Sequence, residues 1–470
     1  MSIRDPKMLR LVRIATAAMA TLVIGIVAIR LAPGPVKPPE PKRPPYCAAM
    51  VRQSVTGDAP AAKTDARGCR YDTGIYDQSP SIQVTRAGVL FIGRNAAGVL
   101  RSTDHGRNWQ AITPPPHANG DSHAKGVHGY VHIDPVTDRV WYVTSNSAGS
   151  CGFMKGGAVV SWTDDLGATW HGSTTGCGTY DWGRLVTGHD PAGAQGRSVY
   201  FLGVAPRLVG GLRPVFRSRD GGGTWTKLAN PASVTTESGA GVSAPDGTLY
   251  FDYPEFIGFD PARTTNATYP FIPGNLCRAM IAVSENFGET WRQQPIPNSR
   301  ACTSMTGQQR VAVDADGTVY AVWNDDRDSQ AYLVVSHDKA RTWSAPVRVM
   351  PTGAKFNNNN VNIVAGAPGH IVISSTNTTA RANPRRWIVS GYGVWHSYLS
   401  ESFNGASPTP QFRSVDLDSA DDPTLAEGES PSEAEAYLGM SPTGEAWATF
   451  SRHGGRLGRG SRIAAAHVVH

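Results

Sequence analysis

Three groups of side chains in this chain have the types and spacing to do chemistry. Six cysteines, Cys47, Cys69, Cys151, Cys177, Cys277 and Cys302, fall into consecutive pairs separated by 22, 26 and 25 residues. Six thiols allow 15 connectivities, and spacing alone does not choose among them. The expectation is neighbour pairing, Cys47–Cys69, Cys151–Cys177 and Cys277–Cys302, each closing a local loop in an oxidising compartment. His117, His123, His128 and His132 gather around Asp121. Imidazole is a common metal ligand, yet the irregular spacing favours a solvated polar loop. Residues 416–435 hold eight acidic groups, Asp416, Asp418, Asp421, Asp422, Glu427, Glu429, Glu433 and Glu435, and no base. Such a run could hold calcium, but Arg452, Arg456, Arg459 and Arg462 come soon after it, and mutual charge pairing is the better account. No Cys-x-x-Cys spacing suggests zinc, and no cofactor is implied.

The elements that must position these groups announce themselves by repetition. Residues 102–109 (STDHGRNW), 163–170 (TDDLGATW), 218–225 (SRDGGGTW), 284–291 (SENFGETW) and 336–343 (SHDKARTW) share one pattern, with starts 52 to 66 residues apart. A motif recurring at that period marks one supersecondary unit copied along the chain. Each copy comes after an apolar, strand-like run. Its Ser/Thr and Asp side chains can accept backbone N–H bonds inside a tight turn, Gly supplies a positive φ, and the Trp can pack against a neighbouring unit. Asn286 replaces Asp in the fourth copy and Ala340 replaces Gly in the fifth, which should weaken both turns.

This repeat resembles the Asp-box, or bacterial neuraminidase repeat, of sialidase-like β-propellers. The resemblance covers residues 80–345 directly and implies an all-β propeller in which Asp104, Asp165, Asp220, Asn286 and Asp338 are structural. It also implies a site at one end of the ring, built from three arginines that grip a carboxylate, a tyrosine nucleophile with a glutamate partner, and an aspartate acid/base. Planar guanidinium forks suit a carboxylate, and a tyrosine of pKa about 10 needs a neighbouring base. On this sequence the matching positions are Arg70, Arg278 and Arg310, with Glu237 or Glu255 beside Tyr437. Two departures stand out: the Phe/Tyr-Arg-Ile-Pro motif of the first arginine is missing, and no aspartate lies between Asp77 and Asp104.

A second repeat upstream of the turns reads as strand, Gly turn, strand, at Ser81, Tyr130, Gly241 and Val311, with weaker copies at Arg197, Val361 and Tyr437. Seven such pairs give seven blades of about 60 residues each, or six if one weak copy is an insertion. The sixth has only a decayed turn, residues 400–405 (SESFNG), and the seventh ends in one strand with no turn. Closure then requires residues soon after Cys47 to complete the last blade, leaving no exposed sheet edge.

Residues 1–13 form a basic tail, 14–31 an apolar segment and 32–46 a proline-rich, extended spacer; the propeller occupies 47–470. The uncharged run 14–29 is slightly short of the roughly 20 residues that span a bilayer, but no clean cleavage site comes after it. The reading is an uncleaved transmembrane signal anchor holding the propeller outside the cytoplasm; a cleaved signal peptide and a secreted product are the alternative. The formal charge of +6 resides wholly in residues 1–46, so the body nets zero and no nucleic-acid partner is expected. Two functions remain: a membrane-anchored, sialidase-like propeller that binds or hydrolyses glycans, and a non-catalytic platform for a cell-envelope protein.

Overall fold

The computed structural model describes residues 44–53, 62–77, 80–95, 98–145, 148–151, 157–178, 181–204, 215–231, 240–257, 276–301, 310–378, 393–427, 429, 436–452 and 461–470. The expected tail, anchor and most of the spacer lie outside these residues, as do Glu237, Cys302, Glu433, Glu435, Arg456 and Arg459. Among the described residues no helix is long and apolar enough to cross a membrane.

Strands dominate, and the only helices described are three short 3-10 turns. Five antiparallel sheets have four strands each. The first shows the pattern: Ser81–Val84, Leu90–Arg94, Gly98–Ser102 and Gln110–Ile112 pair one after another in chain order. Sequential antiparallel pairing needs only short hairpins, which the Gly-rich turns provide. In the unit containing residues 197–204 the sequence misplaces the innermost strand. Arg197–Val204 is the second strand of its sheet, and Asp181–His189 lies inside it.

The remaining strands form one nine-stranded sheet. Phe356–Ala365, Ile371–Thr378, Trp395–Ser402 and Phe412–Asp416 make one end of it, and Ala436–Met440, Ala446–Arg452, Ser461–Val469 and Lys63–Asp77 make the other. Tyr46–Gln53 joins the halves, pairing with Lys63–Asp77 on one side and with Phe412–Asp416 on the other. The N-terminal strands therefore complete the C-terminal sheet. Cys47 and Cys69 face each other across this seam and are disulfide-bonded, as are Cys151 and Cys177. Cys277 is also disulfide-bonded.

The innermost strands touch in a cycle. Ser81–Val84 contacts Val127–Ile133, then come Asp181–His189, Gly241–Ser243, Val311–Val313, Phe356–Ala365 and Ala436–Met440, and the last contacts the first. Between consecutive sheets lie seven apolar clusters. Trp109, Trp170, Trp225, Trp291 and Trp343 each pack on the cluster shared with the preceding sheet. Burying a face on each side of every sheet is what holds such a stack. Many four-stranded sheets in a closed cycle are consistent with a β-propeller.

All five repeated turns fold alike. In the third, Ser218 Oγ donates to Asp220 Oδ1 at 2.7 Å and accepts from Gly222 N at 2.8 Å, while Asp220 Oδ1 accepts from Thr224 N at 2.9 Å. The substituted copies keep this pattern. Asn286 Oδ1 takes Thr290 N at 2.9 Å, and Ala340 N reaches Ser336 Oγ at 2.9 Å with φ of 60°. Neither turn is weakened in its hydrogen bonding. The decayed sixth aligns at Ser402, whose Oγ reaches Asn404 Oδ1 at 3.1 Å.

Candidate functional site

Three innermost strands carry a β-bulge near their N-terminal ends: between Val127 and Tyr130, between Asp181 and Arg184, and between Asn357 and Asn360. A bulge inserts an unpaired residue and re-aims the side chains beyond it. Here it brings Tyr130 and Arg184 from adjacent strands against Tyr437 on Ala436–Met440. The Arg184 guanidinium lies 4.7 Å from the Tyr130 ring centre and 5.4 Å from that of Tyr437, and Arg184 Nη2 donates to Tyr437 Oη at 3.2 Å. All three side chains are buried. Beside them Asn362 Nδ2 donates to Ala436 O at 2.6 Å. Burial raises the Tyr130 pKa and the Arg184 charge opposes that rise. A cation among aromatic faces is stabilised there, and beside a phenol it favours the phenolate.

The other residues expected from sequence are distributed around this group. Arg70 is committed internally: Nη1 pairs with Asp418 Oδ1, and Nη2 lies 2.5 Å from Asp422 Oδ2. Arg452 completes the square, 3.1 Å from each aspartate. Asp418 Oδ2 also accepts from Ser397 N, Thr424 N and Thr424 Oγ1. The two charges of each sign are buried together, the arrangement under which burial of ions is tolerated. Arg310, entering Val311–Val313, is buried; desolvation lowers its pKa, against the fields of Asp252 and Asp326. Arg278 and Glu255 are cross-strand partners and form a half-exposed ion pair. The structure thus unites Glu255 with Arg278 and Arg70 with the acidic run, while Arg310 and Tyr437 each meet groups that sequence reading did not name.

Only part of the histidine group assembles. His123 Nε2 and His117 Nε2 both bond Ser161 Oγ, at 2.8 and 3.1 Å, and His123 Nδ1 bonds Thr144 Oγ1 at 2.9 Å. Burial depresses His123 to about 3, so the ring is neutral. Asp121 accepts from Ser150 N, Ser150 Oγ and Thr174 Oγ1, bracing the turn that contains Cys151. His132 stands elsewhere, bonded to Thr187. Of the acidic run, Asp416 and Asp418 approach His396 closely enough to share an ion, but Asp418 is already saturated by Arg70, Arg452, Ser397 and Thr424. Charge pairing between the acidic run and Arg452 is therefore real.

Arg184 and Tyr130 escaped the sequence reading, as did the link between Arg70 and the Asp418–Asp422 pair. Arg184 had one usable signal, a lone charge entering an apolar strand (GRLVTG). Its bulge, which decides where it points, leaves no mark in composition.

No protein-family model matches the chain. Over 270 residues, 53% of the chain, it is 27% identical to a xyloglucanase of Paenibacillus sp, and the match spans 24% of that protein. The chain thus covers about a quarter of that relative's length. Among solved structures it is similar to an ulvan lyase of polysaccharide lyase family 25 in complex with an oligosaccharide (TM-score 0.49, 11% identity, 84% of this chain and 93% of that one). It is also similar to YCF48 bound to D1 peptide (TM-score 0.44, 10% identity, 86% and 97%). A Hadza microbial sialidase gives a TM-score of 0.38 at 17% identity, over 87% and 70%.

Proposed function

We propose that this chain is a seven-bladed Asp-box propeller, held outside the cytoplasm by its N-terminal segment, that recognises glycans at the ring end where Arg184 stands. The Arg184–Tyr130–Tyr437 group carries the reading. Its forked donors suit the carboxylate of an acidic sugar, and its tyrosines supply flat, amphipathic faces. If the site turns substrate over, Tyr437 Oη is the nucleophile, attacking the anomeric carbon as the glycosidic bond breaks and the phenol proton passes to the departing alkoxide. Water then attacks the anomeric carbon, releasing the sugar and returning the proton to Tyr437, with Arg184 stabilising the phenolate as it forms. The cycle of innermost strands supports seven blades, with the nine-stranded sheet counted as two. The disulfides support export, and the xyloglucanase relative supports carbohydrate as the ligand class.

One observation favours the second reading, a binding platform without turnover. Arg70, the arginine that the resemblance would place on a substrate carboxylate, is filled by Asp418 and Asp422.

The test uses the full chain with fluorogenic sialosides and uronides for hydrolysis, and calorimetry for binding. Tyr437→Phe is expected to abolish turnover while leaving binding within about threefold, and Arg184→Ala to lose both by at least about tenfold. Binding with no turnover in the parent protein would select the platform reading. Acidic sugars that bind neither the parent nor a disulfide-intact, folded preparation would end the glycan reading.

A further inference from the structure

From Tyr130 toward the opposite end of the ring the innermost strands line a cavity. The innermost strands run away from Arg184 toward short hairpins, and these surround a volume of about 1020 Å³, at the upper end for small-ligand pockets. On one wall His370 Nε2 bonds Glu401 Oε1 at 2.9 Å, and Arg413 Nε donates to Glu401 Oε2 at 2.9 Å. Glu401 is buried, and His370 and Arg413 hold its carboxyl below its usual range against the cost of burial. With Nε2 committed, Nδ1 is the ring atom left for a ligand. A Cβ on Gly444 or Gly366 would stand 3.5 or 3.7 Å from it, so the two glycines leave that nitrogen open. Phe403 stacks on the imidazole, centroids 4.6 Å apart and planes at 15°, yet keeps 57% of its surface exposed.

The charges of this wall decide what it can take. Arg413 is spent on Glu401 and Arg197 on Asp134. Glu445 accepts from Trp447 Nε1, and Asp314 from Thr318 N, Tyr320 Oη and Gly369 N. Among the described residues the wall offers an anion no unpaired guanidinium and a cation no unpaired carboxylate. What remains is the exposed part of the Phe403 ring, which Arg413 and His470 also approach, at 5.1 and 5.9 Å from its centre, an imidazole nitrogen and the hydroxyls of Ser441 and Thr443, which bond each other at 2.7 Å. A pyranose matches this set, because its axial C–H face is apolar while its rim is hydroxyl.

We propose a second ligand site here, for a neutral oligosaccharide, one ring of which stacks on the exposed part of Phe403 while a hydroxyl of a neighbouring sugar bonds His370 Nδ1. The proposal does not rest on the acidic-sugar reading, although Tyr130 of that group also lines the cavity. Calorimetry and saturation-transfer NMR of the full chain with cellotetraose, xylotetraose, laminaritetraose and maltotetraose test it. At least one is expected to bind. Phe403→Ala should weaken that binding roughly tenfold, the equivalent of about 1.4 kcal/mol, and Phe403→Trp should retain it. His370→Gln should weaken it about threefold or more, and Arg184→Ala should leave it unchanged. Phe403 is more than half exposed, so its variants keep the parent melting temperature. Failure of all four tetrasaccharides to bind the parent overturns the proposal. So does an affinity unmoved by Phe403→Ala, or one lost in Arg184→Ala instead.

Discussion

Compare the five repeated turns with the group around Arg184. The turns are interchangeable: in each, a Ser or Thr hydroxyl reaches the Asp or Asn two residues on and takes the amide four residues on. Their Trp residues all pack on the preceding interface. The Arg184 group is the reverse, since Tyr130, Arg184 and Tyr437 come from three different sheets and none is copied in the others. Repetition serves stability, because every sheet faces the same packing problem. Chemistry at the centre of a ring needs different side chains from different sheets. In a repeat protein, residues that break the repeat are therefore the place to look for function.

The Arg70–Asp418–Arg452–Asp422 square should break that comparison most severely, since it is unrepeated yet structural. Arg452→Met leaves two buried carboxylates facing one guanidinium, and removing one partner of a buried pair costs about 3–5 kcal/mol. Urea denaturation should show that loss, concentrated in the sheet that closes the ring. A loss below about 1 kcal/mol would mean that the square carries no closure energy.

The repeated turns were legible because their residues act locally. Ser218, Asp220, Gly222 and Thr224 bond one another within seven positions, so composition and spacing specify the geometry. The ring-closing strand was legible for a related reason, as the last unit lacked a strand and closure demanded one. The Arg184 group was not, because a bulge at Asp181/Arg184 and contacts across hundreds of residues decide it. Arg70 was singled out as a ligand-binding arginine, but its partners lie about 350 positions away, at Asp418 and Asp422. No local pattern links such positions.

A turn carboxylate gives a smaller and sharper effect. Thr342, through its hydroxyl and its amide, lowers Asp338 to about 2, against about 3.9 unfolded. A depressed folded pKa means that the contribution is complete above pH 4 and disappears as pH falls from about 4 through about 2. Asp338→Ala should cost about 1 kcal/mol at neutral pH without touching glycan binding. Melting temperatures from pH 6 to pH 2 should converge for the two proteins at the acid end. A constant gap across that range would assign the stabilisation to something other than the ionised carboxylate.

The fourth turn sharpens the same point with the smallest change. Asn286 holds Thr290 through its amide, Oδ1 taking the backbone N–H and Nδ2 donating to Thr290 Oγ1 at 2.9 Å. Asn286→Asp would reverse the second bond, the hydroxyl donating as Thr342 does to Asp338. Glu285 and Glu289 flank the site and repel a new charge, whereas Arg292, Lys339 and Arg341 cluster on Glu285 and offset that repulsion. At the exposed surface these effects nearly cancel, so neutral stability should move by less than about 0.5 kcal/mol. The pH dependence should nonetheless change in kind, because a turn indifferent to acid acquires a carboxylate whose stabilising bonds are lost below about pH 4. A variant whose melting curve still parallels the parent from pH 6 to pH 2 would show that the charge is incidental. The turn would then be held by its geometry of acceptors alone, which is how Asn can stand in for Asp in one copy out of five.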